Sequence, residues 1–369
     1  MAVFCAHLSG RREFNHSSGK QSDAMTNRKT SSRRTLTFQS LENRCLMAGN
    51  VTAAVQNHSL VINGDNNGNG ITIRQTATGQ FTVIGSETTI NGKTSPQTFS
   101  GITGDFKINL KGGDDVLVID NATQSVPVLT LPGNLNVDLG SGSDVFYLQN
   151  ANTMGGASVT GSSGSKVVEF DFSMIGSSSF NAGKNDCNIT LNASSIVDMN
   201  YARFNRDLAV KLSGNSSSII SISGGTVGRN LAIQGGNGAD SVYVEEMFIQ
   251  QKLQIQTGGG NDMVSLGEES VYQNGAFLQN DRQYGMHADQ VFVDLGSGDD
   301  DLHAFGVYGA SASYLGGSGH DRLFHDGLGS GQETYSGFES VSLLTAPQGA
   351  AEIGGKMGGG VTGSVQIRN

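Results

Sequence analysis

From Leu60 onward, apolar and polar residues alternate in short runs that break at Gly-rich turns ending in Asp. Phe106-Lys107-Ile108-Asn109-Leu110 runs into Lys111-Gly112-Gly113-Asp114-Asp115 and leaves through Val116-Leu117-Val118-Ile119. Leu135 to Phe146 does the same around Gly140-Ser141-Gly142-Ser143-Asp144, and Leu231 to Val244 around Gly235-Gly236-Asn237-Gly238-Ala239-Asp240. Three more copies surround Gly258-Gly259-Gly260-Asn261-Asp262, Gly296-Ser297-Gly298-Asp299-Asp300 and Gly316-Gly317-Ser318-Gly319-His320-Asp321. Alternation at period two marks a strand with one buried face. Gly accepts the positive φ that such turns need, and Asp hydrogen-bonds nearby backbone.

The Gly two residues before each Asp recurs at 113, 142, 238, 260, 298 and 319, in steps of 29, 96, 22, 38 and 21. The 96-residue gap holds weaker copies: Ser162 to Val167, with Lys166 at the Asp position, then Ile189-Thr190-Leu191 and Leu208 to Gly214. A unit of roughly 20–25 residues is therefore expected from about Leu60 to about Leu344. Short strands at a fixed period predict an all-β chain, a single-stranded parallel β-helix (β-solenoid) of roughly a dozen rungs ~4.8 Å apart. A β-sandwich, alone or in tandem, is the competing architecture.

Composition agrees with short strands. Gly is 53 of 369 residues, Trp is absent, and no apolar run is long enough to span a membrane as a helix. The net charge is −10, unevenly spread. The first 50 residues hold 8 of the 23 Lys/Arg and 3 of the 33 Asp/Glu, so a basic leader precedes an acidic body. An acidic body disfavours a nucleic-acid partner, whose phosphates need a basic face, and is compatible with cation binding or simple solvation, so no nucleic acid is expected. Three segments follow: residues 1–49 as a disordered leader, 50–348 as the solenoid, and 349–369 as a Gly-rich tail. The three Cys, at 5, 45 and 187, provide no disulfide framework once the leader is removed, and Cys187 reads as a small apolar residue.

Two stretches resemble known families. Arg33, Arg34, Leu36, Phe38, Leu41, Glu42, Arg44, Leu46 and Ala48 match the N-terminal motif of large planctomycete exported proteins, with Gln39 and Met47 departing from its Glu and Leu. The resemblance implies export to the cell surface or secretion, and no chemistry. The turns resemble the G-G-x-G-x-D-x-U-x calcium-binding repeat of RTX (haemolysin-type) proteins. The match is full at Gly235–Val242 and Gly316–Leu323, and the first Gly is replaced at the other four turns. The resemblance implies Ca²⁺ held between stacked turns by carbonyls and the Asp carboxylate. Its ligand positions here are Asp115, Asp144, Gly236, Gly238, Asp240, Gly258, Gly260, Asp262, Gly296, Gly298, Asp300, Gly317, Gly319 and Asp321. The best pairs are Asp240 with Asp262 and Asp300 with Asp321; Asp115 with Asp144 is looser. Known RTX repeats run in tandem every nine residues, whereas each unit here has one. On the competing reading each Asp only caps its own turn.

Parallel β-helices also carry polysaccharide lyases and hydrolases, which need clustered acids and a base. Asp198, Arg203, Arg206, Asp207 and Lys211 are the candidates, and a solvated loop explains them as well. His303, His320 and His325 lie near Asp321 and Asp326, a possible transition-metal set or simply surface residues. Aromatics such as Phe146, Tyr147, Tyr243, Phe248, Tyr308 and Tyr314 read as core or ladder residues rather than a sugar platform. The expected function is an exported, non-catalytic surface or secreted protein stabilised by calcium, with extracellular polysaccharide or a cell-surface protein as partner. The alternative is a β-helix enzyme acting on acidic glycans.

Overall fold

The computed structural model describes residues 49–120, 128–176, 186–267, 272–273, 276–277, 285–327, 331–343 and 361–366. These fall in one compact unit, Cys45–Asn369. The leader, its export motif, Cys5 and Cys45 lie outside the described residues, as does most of the Gly-rich tail. The chain is all-β, and no helix occurs among the described residues.

Most strands are parallel and pair with strands a unit away in sequence, not with their immediate neighbours. In one sheet Phe106–Asn109 lies between Ser59–Asn63 and Leu135–Asp138. The series continues in register through Ala157, Cys187, Leu208, Leu231, Leu253, Val291, Ala312 and Glu333. In the 13-stranded sheet Val116–Ile119 lies between Gly70–Ala77 and Asp144–Gln149, and the series ends at Ser340–Leu343. Successive long strands fall in the two sheets by turns, joined by the Gly/Asp turns on one side. On the other side are sharp corners and two- or three-residue strands such as Ala151–Thr153 and Arg203–Phe204. Parallel pairing requires such crossovers, and it departs from the antiparallel sheets of a sandwich.

Alternation decides which face is buried. Phe106, Ile108 and Leu110 point inward while Lys107 and Asn109 face water, and Phe146 and Leu148 are inward while Val145 and Tyr147 are not. Equivalent inward side chains stack along the sheet: Phe146 meets Phe170 edge-on at 5.8 Å, and Phe170 lies over Phe204 at 6.5 Å. A fully buried Leu or Phe contributes about 1.5–3 kcal/mol, so a single four-residue strand cannot order itself and gains its core only from its neighbours. Cys187 is buried in this way between Ala157 and Leu208, and burial pushes its thiol up, which suits a small apolar residue.

The unit pattern is interrupted near its start. Gly49–Gln56 and Ser59–Asn63 form an antiparallel hairpin turning at Asn57 (φ 48°) and His58 (φ 62°). Gly70–Ala77, Gln80–Ser86 and Gln97–Ser100 form an antiparallel meander. Its Phe81 is buried and meets Phe106 edge-on at 4.8 Å. Alternation alone cannot distinguish these strands from the parallel ones. They lie at the end of the sheet, where an open row of amides and carbonyls needs cover. At the other end Val361–Gln366 pairs antiparallel with Gln332–Phe338, so part of the expected tail is a strand.

Candidate cation-binding turns

The turns stack as the strands do. The register places Asn69, Asp115, Asp144, Lys166, Ser195, Ser218, Asp240, Asp262, Asp300, Asp321 and Glu339 in one column. All except Glu339 are buried, and Asp115, Asp300 and Asp321 are fully so. The sheet thus brings together the two expected pairs, Asp240 with Asp262 and Asp300 with Asp321. Asp115 is the neighbour of Asp144 as well. It also joins Asp262 to Asp300, which the 38-residue step between them had hidden.

Each Asp has one oxygen committed. Asp115 Oδ1 accepts the Asn69 amide at 2.7 Å, and Asp144 Oδ1 accepts the Asp115 amide at 3.0 Å. The same bond runs from the Ser218 amide to Asp240 (2.8 Å), from Asp240 to Asp262 (2.8 Å), from Asp262 to Asp300 (2.7 Å) and from Asp300 to Asp321 (3.0 Å). Glu339 ends the series, its Oε2 accepting the Asp321 amide at 2.7 Å. Capping therefore acts between turns. Only Asp240 also caps its own turn, with Oδ2 accepting the Gly236 amide at 2.9 Å.

The second oxygens decide the chemistry. Oδ2 of Asp115, Asp262, Asp300 and Asp321 is buried and has no hydrogen-bond partner. A buried, unpartnered carboxylate oxygen is costly, and the group responds by holding a proton or a cation. Burial pushes the Asp115 and Asp300 carboxyls up to about 7, with the neighbouring Asp charges adding to it. Burial also raises Asp144, Asp240, Asp262 and Asp321.

Glycine lets the turns approach. Gly113, Gly142 and Gly164 stack in one series, and Gly238, Gly260, Gly298 and Gly319 in another. Gly298 has φ 138°, and a Cβ there would overlap the Gly260 carbonyl oxygen. That oxygen faces the next turn along the column. Gly236, Gly258, Gly296 and Gly317 form a parallel series whose carbonyls do bond amides: Gly259 N–H donates to Gly236 O at 3.0 Å, Ser297 N–H to Gly258 O at 2.9 Å and Ser318 N–H to Gly296 O at 2.9 Å.

Ca²⁺ takes 6–8 oxygens and accepts carbonyls alongside carboxylates. Among the described residues no group of three or more His, Cys, Asp or Glu could hold a metal ion. Any ion in the column would therefore be bound by one or two free Oδ2 atoms and by turn carbonyls. That donor set fits a hard cation and does not fit a transition metal.

The other candidates are dispersed. Asp198 lies in the 13-stranded sheet beside Glu169, while Lys211 lies on the other sheet and Arg203 on a short strand of it. Arg206 and Asp207 pair elsewhere, with Asp186 (3.4 Å) and Arg229 (3.6 Å). His303 is opposite Phe324, so His325, one residue on, points to the other face. His303 packs against Phe324 at 4.9 Å, whereas buried His325 Nδ1 meets Glu333 Oε1 at 2.9 Å. His320 is exposed in its turn. His303 and His325 are separated because adjacent positions along the paired strands face opposite ways. A shallow groove of about 200 Å³ on the outer face of the first sheet contains Lys107 and Asp138 among amides and hydroxyls, without a second acid. Phe146 and Tyr314 are core residues, while Phe248, His287 and Tyr308 form an outward ladder.

Sequence reasoning missed Asn69, Ser195, Ser218 and Glu339 as members of the column. Their signal was register, since each stands just before a strand or opens one, as the Asp residues do. It also missed the exposed Phe172–Tyr201 stack (5.2 Å), where both residues have positive φ. No family model, curated protein or solved structure matches this chain.

Proposed function

We propose that the chain is an exported, non-catalytic surface or secreted protein, a parallel β-solenoid whose Asp turns are stabilised by bound calcium. The two parallel sheets are its long walls and the short strands a third side, with each unit one rung. The observation that carries the calcium reading is the set of buried, unpartnered Oδ2 atoms at Asp115, Asp262, Asp300 and Asp321. The RTX-like spacing of the turns supports it, as does the hard-oxygen donor set. The non-catalytic part follows from the dispersal of the acid and base candidates over two sheets. Export follows from the resemblance of the leader motif.

Thermal unfolding of the full chain, followed by circular dichroism with excess Ca²⁺ and then with chelator, tests the reading. An ion bound only by the folded chain adds about 2.7 kcal/mol per site at a hundredfold excess over Kd. The expected result is a large Ca²⁺-dependent rise in Tm that shrinks in Asp300→Asn with Asp321→Asn. Identical melting in Ca²⁺ and chelator would reduce the column to inter-turn caps.

A further inference from the structure

We infer that the Lys166 ammonium is a tethered cation, occupying between two turns of the column the position that a free cation takes where Asp stands. Lys166 is in register with Asp144 and is itself a member of the Asp column. It is 1% exposed, and its side chain and that of Asp144 are both fully buried. Its Nζ donates to Gly142 O at 2.6 Å and to Ser163 O at 2.7 Å, and stands 2.9 Å from Asp144 Oδ2. The ammonium is thus surrounded by two turn carbonyls and by the Asp144 Oδ2, whose counterparts at Asp115, Asp262, Asp300 and Asp321 are unpartnered. Gly142 is the counterpart of Gly298 and Ser163 that of Ser318, so the same oxygens recur beside Asp300.

A second observation shows that the Lys stem has room in this unit. The position that closes the preceding strand is Leu in the two flanking units, Leu139 and Leu191, and varies further along the chain, with Gly at 235 and 316 and Thr at 257. In the Lys166 unit it is Gly161, in register with Leu191. A Cβ on Gly161 would lie 2.7 Å from Lys166 Cε and 3.1 Å from its Cδ. The Lys stem therefore fills the volume a Leu takes in the two flanking units. A buried ammonium is tolerated only where paired and hydrogen-bonded, and here Nζ donates to two carbonyls and is ion-paired with the Asp144 carboxylate. The column is thereby divided: Asp115 and Asp144 end against a fixed charge, Ser195 and Ser218 are neutral, and Asp240 to Asp321 form the free acidic run.

The inference deepens the calcium reading and is tested apart from it. Lys166→Met keeps the stem and removes the charge. Melting and equilibrium dialysis are measured for wild type, Lys166→Met and Asp144→Asn/Lys166→Met, with Ca²⁺, Na⁺ or chelator. The expected result is that Lys166→Met melts lower in chelator, recovers with Ca²⁺ to saturation, and binds one more ion per chain than wild type. The double variant should lose that extra ion. Equal ion counts in wild type and Lys166→Met overturn the inference. If Lys166→Met is unfolded in chelator, refolding on Ca²⁺ supports it. Failure in every cation overturns it, whether or not the double variant folds. A wild type indifferent to Ca²⁺ alongside a responsive Lys166→Met sinks the calcium reading of the native turns and leaves this one standing.

Discussion

Asp300 has two oxygens with opposite circumstances: Oδ1 accepts an amide at 2.7 Å, and Oδ2 is buried without a partner. The first favours the carboxylate and the second disfavours it, and burial wins, placing the group at about 7. Asp115 has the same balance. Their ordinary value is 3.8, so between 3.8 and about 7 the folded chain holds protons that the unfolded chain has lost. In chelator, stability is therefore whole below the lower value and falls as pH rises, by about 1.4 kcal/mol per pH unit for each such group, levelling above 7. On the proposed calcium reading the ion competes with those protons, so the Ca²⁺-induced rise in Tm should be larger at pH 8 than at pH 5. Melting curves at the two pH values check this, and an equal rise at both would detach the ion from these carboxyls. The Asp positions were legible in the sequence because Gly-x-Asp recurs before an apolar run. The commitment of Oδ1 to a neighbouring turn was not, because it depends on register between units that sequence spacing does not report.

At the level of the turn, close stacking sets what a residue may be. Gly298→Ala adds a Cβ onto the Gly260 carbonyl at a φ of 138°. Left-handed backbone alone costs about 1–3 kcal/mol, and the overlap adds to it. Gly92→Ala is the control: φ is 73° and nothing lies within 4 Å of the added atom, so only the backbone term applies. Urea unfolding should show a loss for Gly298→Ala well above that for Gly92→Ala; equal losses would mean the turns are not held against one another. The strands themselves were readable from alternation at positions such as Phe106, Ile108 and Leu110. Their partners were readable only where units kept their length. Asp262 and Asp300 are neighbours although 38 residues apart, since a length difference outside the strands leaves in-register pairing intact. The antiparallel meander over Gly70–Ser100 was illegible for another reason. Its alternation is the same as that of a parallel strand, and only its place at the end of the sheet selects the pairing.

Across the molecule, contacts run between adjacent units, so the proposed solenoid should lose a whole unit more readily than part of one. Ser218 and Asp240 are equivalent and 22 residues apart. Excising Ile219–Asp240 joins Ser218 to Ser241 and returns every later strand to an equivalent place. Excising Ile219–Arg229 alone removes half a unit and breaks register for everything beyond it. Circular dichroism and melting should show a folded, cooperative protein in the first case and a collapsed or aggregated one in the second; the reverse order would argue against unit-by-unit stacking. The Asp column adds a sense of direction to this architecture. In its two runs, Asn69 to Asp144 and Ser195 to Glu339, the linking bonds go one way, with an amide nearer the amino end donating to a side chain nearer the carboxyl end; between the runs the Asp144 and Lys166 amides donate to the Ser165 and Ser194 carbonyls. A shortened amino end exposes a spare carboxylate, which water satisfies. A shortened carboxyl end strands a buried amide, which water does not reach. A chain that emerges amino end first thus carries an unmet donor at its growing tip until the following turn arrives to close it.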